Sequence, residues 1–285
     1  MSIELLLEKQ NRDGGWPYVR GASWTEPTAY ATLALLDAEQ VESAGRGLRW
    51  IRAMQRRDGG WPPQAGVDQS SWVTAAVALL PPRQLGVQAH GRAIRWLLAT
   101  AGEESSLIYR LRQRLLGVSI SRDEDYPGWP WLPGTAAWVG PTSLAILALE
   151  KQFARTPLAA LRERIESGRR FLINRACVEG GWNHGSQQAL GYDSRPYPET
   201  TGIALAALRG ERSPVIDRGI EAASQFLAEC RSADALNWLR LGLAAHGRMP
   251  AGYCPPAPLV PRTLPEASLD MLVASAERGN SLFWS

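Results

Sequence analysis

The sequence predicts an all-α fold built from repeated helical hairpins. Three observations carry that expectation. A decapeptide recurs, with EKQNRDGGWP at 8–17 returning as AMQRRDGGWP at 53–62. Amphipathic segments precede each copy, and Ala/Leu-rich segments that are apolar nearly all round follow it. Trp16 and Trp61 lie 45 residues apart, and a unit of that length holding two helical segments is a helical-hairpin repeat, which decides a fold before any local propensity does.

Two looser copies of the motif follow, DYPGWP at 125–130 and VEGGWN at 178–183, and ADALNWL at 233–239 keeps only the tryptophan. The preceding segments are 3–10, 45–55, 91–101, 167–177 and 219–230. Their apolar residues fall at i, i+3 and i+4, as Leu48, Ile51 and Met54 do, so one face is buried while the other carries arginine. These segments predict outer helices. The following segments, 26–36, 70–80, 140–150, 198–208 and 238–247, predict inner helices packed on both sides. Gly-Gly pairs supply the sharp joint between the two. Pro27 and Pro141 suit a first helical turn, and Thr25 is the expected cap ahead of Pro27. Residues 102–125 read as an insertion with an extra helix in its middle. Residues 249–266 carry the proline-rich loop, 267–277 a closing helix, and the terminal FWS an apolar plug.

With 285 residues, 45% hydrophobic and 21% charged, the chain is read as one domain that buries a sizeable core, and disordered, collagenous and disulfide-stapled classes are excluded. Cys177, Cys230 and Cys254 are far apart with no CxxC, which gives neither a disulfide framework nor a zinc site. No spanning segment or secretion signal is visible, so the expected location is cytoplasmic. A net charge of +3 on scattered arginines predicts no nucleic-acid binding. The unusual count is 12 tryptophans against 7 tyrosines and 4 phenylalanines.

QNRDGGW at 10–16 and QRRDGGW at 55–61, with Arg46-Gly47-Leu48-Arg49-Trp50-Ile51 between them, resemble the QW repeat of squalene-hopene and oxidosqualene cyclases. The resemblance covers most of residues 3–247. It extends to the wider superfamily of class II terpene cyclases and prenyltransferase β subunits. What it implies is a single α/α toroid of five to six hairpins, with an inner and an outer helix ring and a central apolar cavity. It further implies binding of an isoprenoid or other apolar small molecule, cyclised by protonation without a metal or other cofactor. Peripheral membrane contact at the inner face, through LIYRLRQRLL at 107–116 or the C-terminal FW, would supply such a substrate.

In class II cyclases a DxDD string donates the proton, which demands a carboxylic acid kept protonated by burial. The inner-helix starts hold no such string. Asp123-Glu124-Asp125-Tyr126 matches DxD and places tyrosine fourth, so Asp123, Glu124 and Asp125 read as a general acid, as a metal-diphosphate ligand set, or as a solvated acidic turn before Pro127. Glu26 and Glu199 read either as acids at the cavity rim or as first-turn glutamates favoured by the helix dipole. The prenyltransferase DxC zinc string is missing, and His90, His184 and His246 stand apart. Trp16, Trp61, Trp129 and Trp182 are expected to pack between hairpins. Trp24, Trp72, Trp131, Trp138, Tyr192 and Tyr197, with His184, are the candidate substrate-binding residues: the six Trp and Tyr rings read as aromatic faces that steady a cation or fill a core, and His184, beside Asn183, as a general base or acid or as a turn histidine bonded to backbone. A non-catalytic lipid- or partner-binding scaffold, and a carbohydrate-active toroid with two carboxylates flanking a sugar, stand as alternatives.

Overall fold

The computed structural model describes residues 2–106, 111, 115, 126–185, 188–189, 192–254, 260–279 and 281–284. The acidic string at 123–125 and nearly all of the 107–116 segment lie outside the described residues. Two compact units share the chain, one of Met1–Leu97, Arg231–Asn237 and Ala251–Ser285, the other of Leu98–Cys230 and Trp238–Pro250.

In the first unit, helix α2 (Thr25–Asp37) is buried along nearly its whole length and packs against α3 (Val41–Met54), α4 (Val73–Ala78) and α12 (Leu264–Glu277). Helix α1 (Ser2–Lys9) lies on α12, and α5 (Pro82–Leu85) lies on α3. Helix α6 (Val87–Ala99) is amphipathic, burying His90, Ala93, Ile94, Trp96 and Leu97. In the second unit α7 (Val139–Arg155) packs against α8 (Ala159–Asn174) and α9 (Pro198–Ala207), and α9 packs against α10 (Pro214–Glu229). A two-residue hairpin pairs β1 (Gln188–Ala189) with β2 (Tyr192–Asp193). The predicted pattern of amphipathic helices covering all-round buried ones therefore holds in both units. Among the described residues no helix is long and apolar enough to cross a membrane.

The motif explains the joints. Gln10 donates through Nε2 to the carbonyls of Gly14 (2.8 Å) and Ser43 (2.9 Å), and Gln55 repeats this with Gly59 (3.0 Å) and Ala89 (2.9 Å). Asp13 Oδ1 accepts from Gly15 N–H (3.0 Å) and Ser23 Oγ (2.8 Å), and Asp58 does the same for Gly60 (3.0 Å) and Ser70 (2.8 Å). Gly14, Gly59 and Gly180 take φ values of 94°, 94° and 95°, a region only glycine enters cheaply. A side chain there would also strike the carbonyl of Arg46, Arg92 or Arg218.

Three of the motif tryptophans, Trp16, Trp61 and Trp182, are two-ended clamps. The indole N–H of Trp16, Trp61 and Trp182 donates to Leu6 (2.7 Å), Ile51 (2.7 Å) and Leu172 (2.6 Å), carbonyls in the last turn of the preceding amphipathic helix, where helix geometry leaves acceptors without partners. The backbone N–H of Trp16, Trp61, Trp129 and Trp182 donates to Thr28 (2.9 Å), Thr74 (2.9 Å), Thr142 (2.8 Å) and Thr201 (3.0 Å) in the next buried helix. Gly47, Gly168 and Gly219 lie so close under the rings of Trp16, Trp129 and Trp182 that a Cβ would stand 2.8, 2.7 and 2.6 Å away.

The third copy lacks the glutamine, and Arg164 takes its place. Its guanidinium lies 3.3 Å from the Trp129 ring centroid and donates to the carbonyls of Thr100 (2.9 Å), Pro127 (2.7 Å) and Gly128 (3.1 Å). Arg164→Met is expected to leave those acceptors without the guanidinium and to cost roughly 2–4 kcal/mol, read as a lower urea midpoint at unchanged slope.

Several expectations are corrected in detail. Trp24, not Thr25, is the N-cap of α2, and Thr25 instead donates through Oγ1 to Pro62 (2.6 Å). The fifth tryptophan, Trp238, lies inside the continuous helix α11 (Ala233–Ala245), because without glycines nothing stops the helix there. The closing helix begins at Leu264, capped by Thr263 Oγ1, which accepts from Glu266 N–H at 3.3 Å. The C-terminus does tuck in: Phe283 is buried, and Leu282 N–H donates to Asp37 Oδ1 at 2.7 Å.

Candidate active site

In the first unit the loop after Trp16 carries Tyr18, whose backbone carbonyl accepts from Leu264 N–H at 2.8 Å and is thereby fixed to the start of α12. Tyr18 then donates its phenolic proton to Glu26 Oε2. Glu26 itself stands in the first turn of α2, a helix start held by Thr25 N–H on the Pro63 carbonyl at 2.8 Å. Trp24 lies edge-on to Tyr18, with ring centroids 5.5 Å apart.

Burial pushes the Glu26 carboxyl up to about pKa 7, against the opposing pull of the Tyr18 hydrogen bond and with the help of the Asp234 charge. Asp234 stands in the first turn of α11, and its charge adds a smaller upward push on Glu26 than burial does. Burial and the Glu26 charge drive Tyr18 upward, and Tyr30, fully enclosed on α2, follows for the same reasons. The arrangement is one carboxylic acid protonated near neutrality, a second acidic residue whose charge adds to that shift, and a phenol, Tyr18, that stays protonated and donates to Glu26.

In the second unit Glu199 occupies the first turn of α9, and its Oε1 lies 3.6 Å from His184 Nε2, an ion pair when the imidazole is protonated. His184 is tilted against Tyr197 with centroids 5.3 Å apart. Trp138 and Tyr197 cap α7 and α9 as Trp24 caps α2. Their N–H groups bond the carbonyls of Trp129 (3.0 Å) and Trp182 (2.8 Å), as Trp24 does with Trp16 (2.9 Å). Trp72 precedes α4, half-buried, and Tyr192 stands on β2. Among the described residues no group of three or more His, Cys, Asp or Glu is placed to hold a metal.

The structure thus brings Glu26 and Trp24 together with Tyr18, and Glu199 together with His184 and Tyr197. Asp234 and Tyr18 were missed by the sequence reading. Asp234 sits in the string read as a worn tryptophan motif. Tyr18 departs from the proline at the same place in the second copy, Trp16-Pro17-Tyr18 against Trp61-Pro62-Pro63, and that departure was its only signal.

No protein-family model matches the sequence, and no curated protein matches it. Solved structures do. A GH8 endo-β-1,4-glucanase from an Achatina fulica gut metagenomic library aligns with a TM-score of 0.62 at 16% identity over 98% of both chains. The endo-β-1,4-glucanase CMCax from Acetobacter xylinum aligns at 0.61 and 15%, over 98% of this chain and 97% of that one. The type II terpene cyclase MstE from Scytonema aligns at 0.53 and 17%, over 86% of this chain and 71% of that one. These likenesses define the fold class, an all-α α/α toroid, which both glycoside hydrolases and a terpene cyclase use.

Proposed function

We propose that this chain is a carbohydrate-active enzyme of the α/α toroid class, with Glu26 as general acid and Asp234 as the partner carboxylate. The observation that carries the reading is Glu26 at the start of α2, bonded to Tyr18 and held near pKa 7 chiefly by burial, with the Asp234 charge adding to the rise. A glycosidic oxygen has lone pairs, and an acid of that strength, still protonated at the working pH, is matched to protonating it as the bond breaks. An alkene carbon has none and calls for a stronger donor, so the pair suits glycoside cleavage better than proton-initiated cyclisation. Two glucanases aligned over nearly their whole length support the same choice. The terpenoid reading keeps the motif resemblance and the cyclase likeness in its favour.

The test is release of reducing ends from neutral polysaccharides, β-1,4-glucan and α-1,6-mannan first, with product analysis on squalene and geranylgeranyl diphosphate in parallel. Turnover is expected on a glycan, with kcat/KM falling above about pH 7 as Glu26 ionises. Tyr18→Phe removes a bond that favours the ionised form, so that limb should move to higher pH. Asp234→Asn removes repulsion, so it should move to lower pH while the rate falls. Cyclised terpenoid products without sugar release would replace this reading with the terpenoid one, and no turnover on either class would end both.

A further inference from the structure

The second unit carries a strip of aromatic rings open to solvent that the acid pair does not use. Trp131, Trp138 and Tyr197 are 36%, 37% and 48% exposed, unusual for side chains of this size. Trp138 and Tyr197 are linked through Gly185 and His184, and Trp131 lies against the first turn of α7 at Gly140, two residues after Trp138. Trp131 rests over Gly140, where a Cβ would lie 3.6 Å from its ring, and Trp138 rests over Gly185, where the distance would be 3.2 Å. Gly185 adjoins His184, which meets Tyr197 and Glu199. The backbone beneath is fixed: Val139 N–H donates to the His184 carbonyl at 2.9 Å, Arg175 to the Gly185 carbonyl at 2.9 Å, and Gly185 N–H to Asn183 Oδ1 at 2.9 Å. The platform is therefore preformed, and binding pays little to order it.

We propose that this strip is a stacking site for a neutral glycan, with pyranose rings lying on Trp131, Trp138 and Tyr197 and their hydroxyls bonding His184 and Glu199. The apolar C–H face of a pyranose covers aromatic surface, and its rim of hydroxyls satisfies the polar pair. A lipid tail would cover the rings equally well and would strip water from Glu199 and His184 without replacing a single hydrogen bond, which costs more than the rings return. The Glu199 carboxylate also opposes an acidic sugar. The inference rests on the carbohydrate reading for its substrate class, and binding is measured apart from turnover.

Affinity electrophoresis in gels containing hydroxyethylcellulose or galactomannan tests it. The wild-type protein should be retarded by at least one of them, Trp138→Ala and Trp131→Ala should bind about tenfold more weakly, and Trp138→Phe, which restores a ring, should recover most of the loss. Glu26→Gln should be retarded like the wild type. Retardation with no turnover would keep the platform and end the hydrolase reading. No retardation by either polymer, or equal retardation of both alanine variants and the wild type, overturns the platform.

Discussion

Glu26→Gln is expected to lose glycan turnover by about 10²–10⁴-fold and, above neutral pH, to unfold at a higher denaturant concentration than the wild type. The two effects have one cause. Glutamine keeps a carbonyl oxygen that accepts from Tyr18, and it never carries charge. In the wild type, Glu26 has an ordinary pKa of 4.5 in the unfolded chain and about 7 in the fold. Below 4.5 both states hold the proton and the group contributes nothing to pH dependence. Between 4.5 and 7 the unfolded chain ionises while the fold does not, so the native state loses stability steadily as pH rises. The loss then stays constant. Each pKa unit is about 1.4 kcal/mol, and with the side chain in part exposed the full penalty should be about 2 kcal/mol. Urea midpoints of wild type and Glu26→Gln should therefore coincide near pH 4 and separate toward pH 8, the variant being the more stable. A residue whose removal stabilises the fold while abolishing turnover has been kept for chemistry. Midpoints that stay together across the range would mean an unstrained first-turn glutamate.

Much of the fold was legible because the motif is a set of local physical requirements. Asp13 and Asp58 cap their own turns, Gly14 and Gly59 adopt a conformation closed to other residues, and the tryptophans are the largest fully buried side chains. These requirements leave a mark within ten residues of sequence. The clamp's far end was less visible. Thr28, Thr74 and Thr142 lie 12, 13 and 13 positions after their tryptophans but Thr201 lies 19 after Trp182, since its loop is longer, and only the fold aligns all four. The same reason hid half of the candidate site. Glu26 could be singled out from its place at a helix start, whereas Asp234 is 208 positions further on and meets it electrostatically through tertiary packing. A periodicity argument finds faces of helices; it does not find which helix starts converge.

Trp61→Ala should cost about 3–5 kcal/mol, a large part of the roughly 5–15 kcal/mol that holds a typical domain together. Trp61 is wholly buried, its indole N–H bonds the Ile51 carbonyl at 2.7 Å, and its backbone N–H bonds Thr74 Oγ1 at 2.9 Å. The truncation removes the ring that fills the joint and leaves a carbonyl at the end of α3 without its donor. Thr74→Val keeps the volume and removes only the accepting oxygen, so it should cost about 1–2 kcal/mol. Because both act on one joint, the double variant should lose less than the sum. Trp182, equally buried and bonded to Leu172 and Thr201, should behave like Trp61, whereas Trp138→Ala, taken from a ring partly open to solvent, should cost far less. Chemical denaturation of the four single variants and the double variant separates these outcomes. If Trp138→Ala proved as damaging as Trp61→Ala, the exposed ring would be structural, and the division between clamping and binding tryptophans would fall.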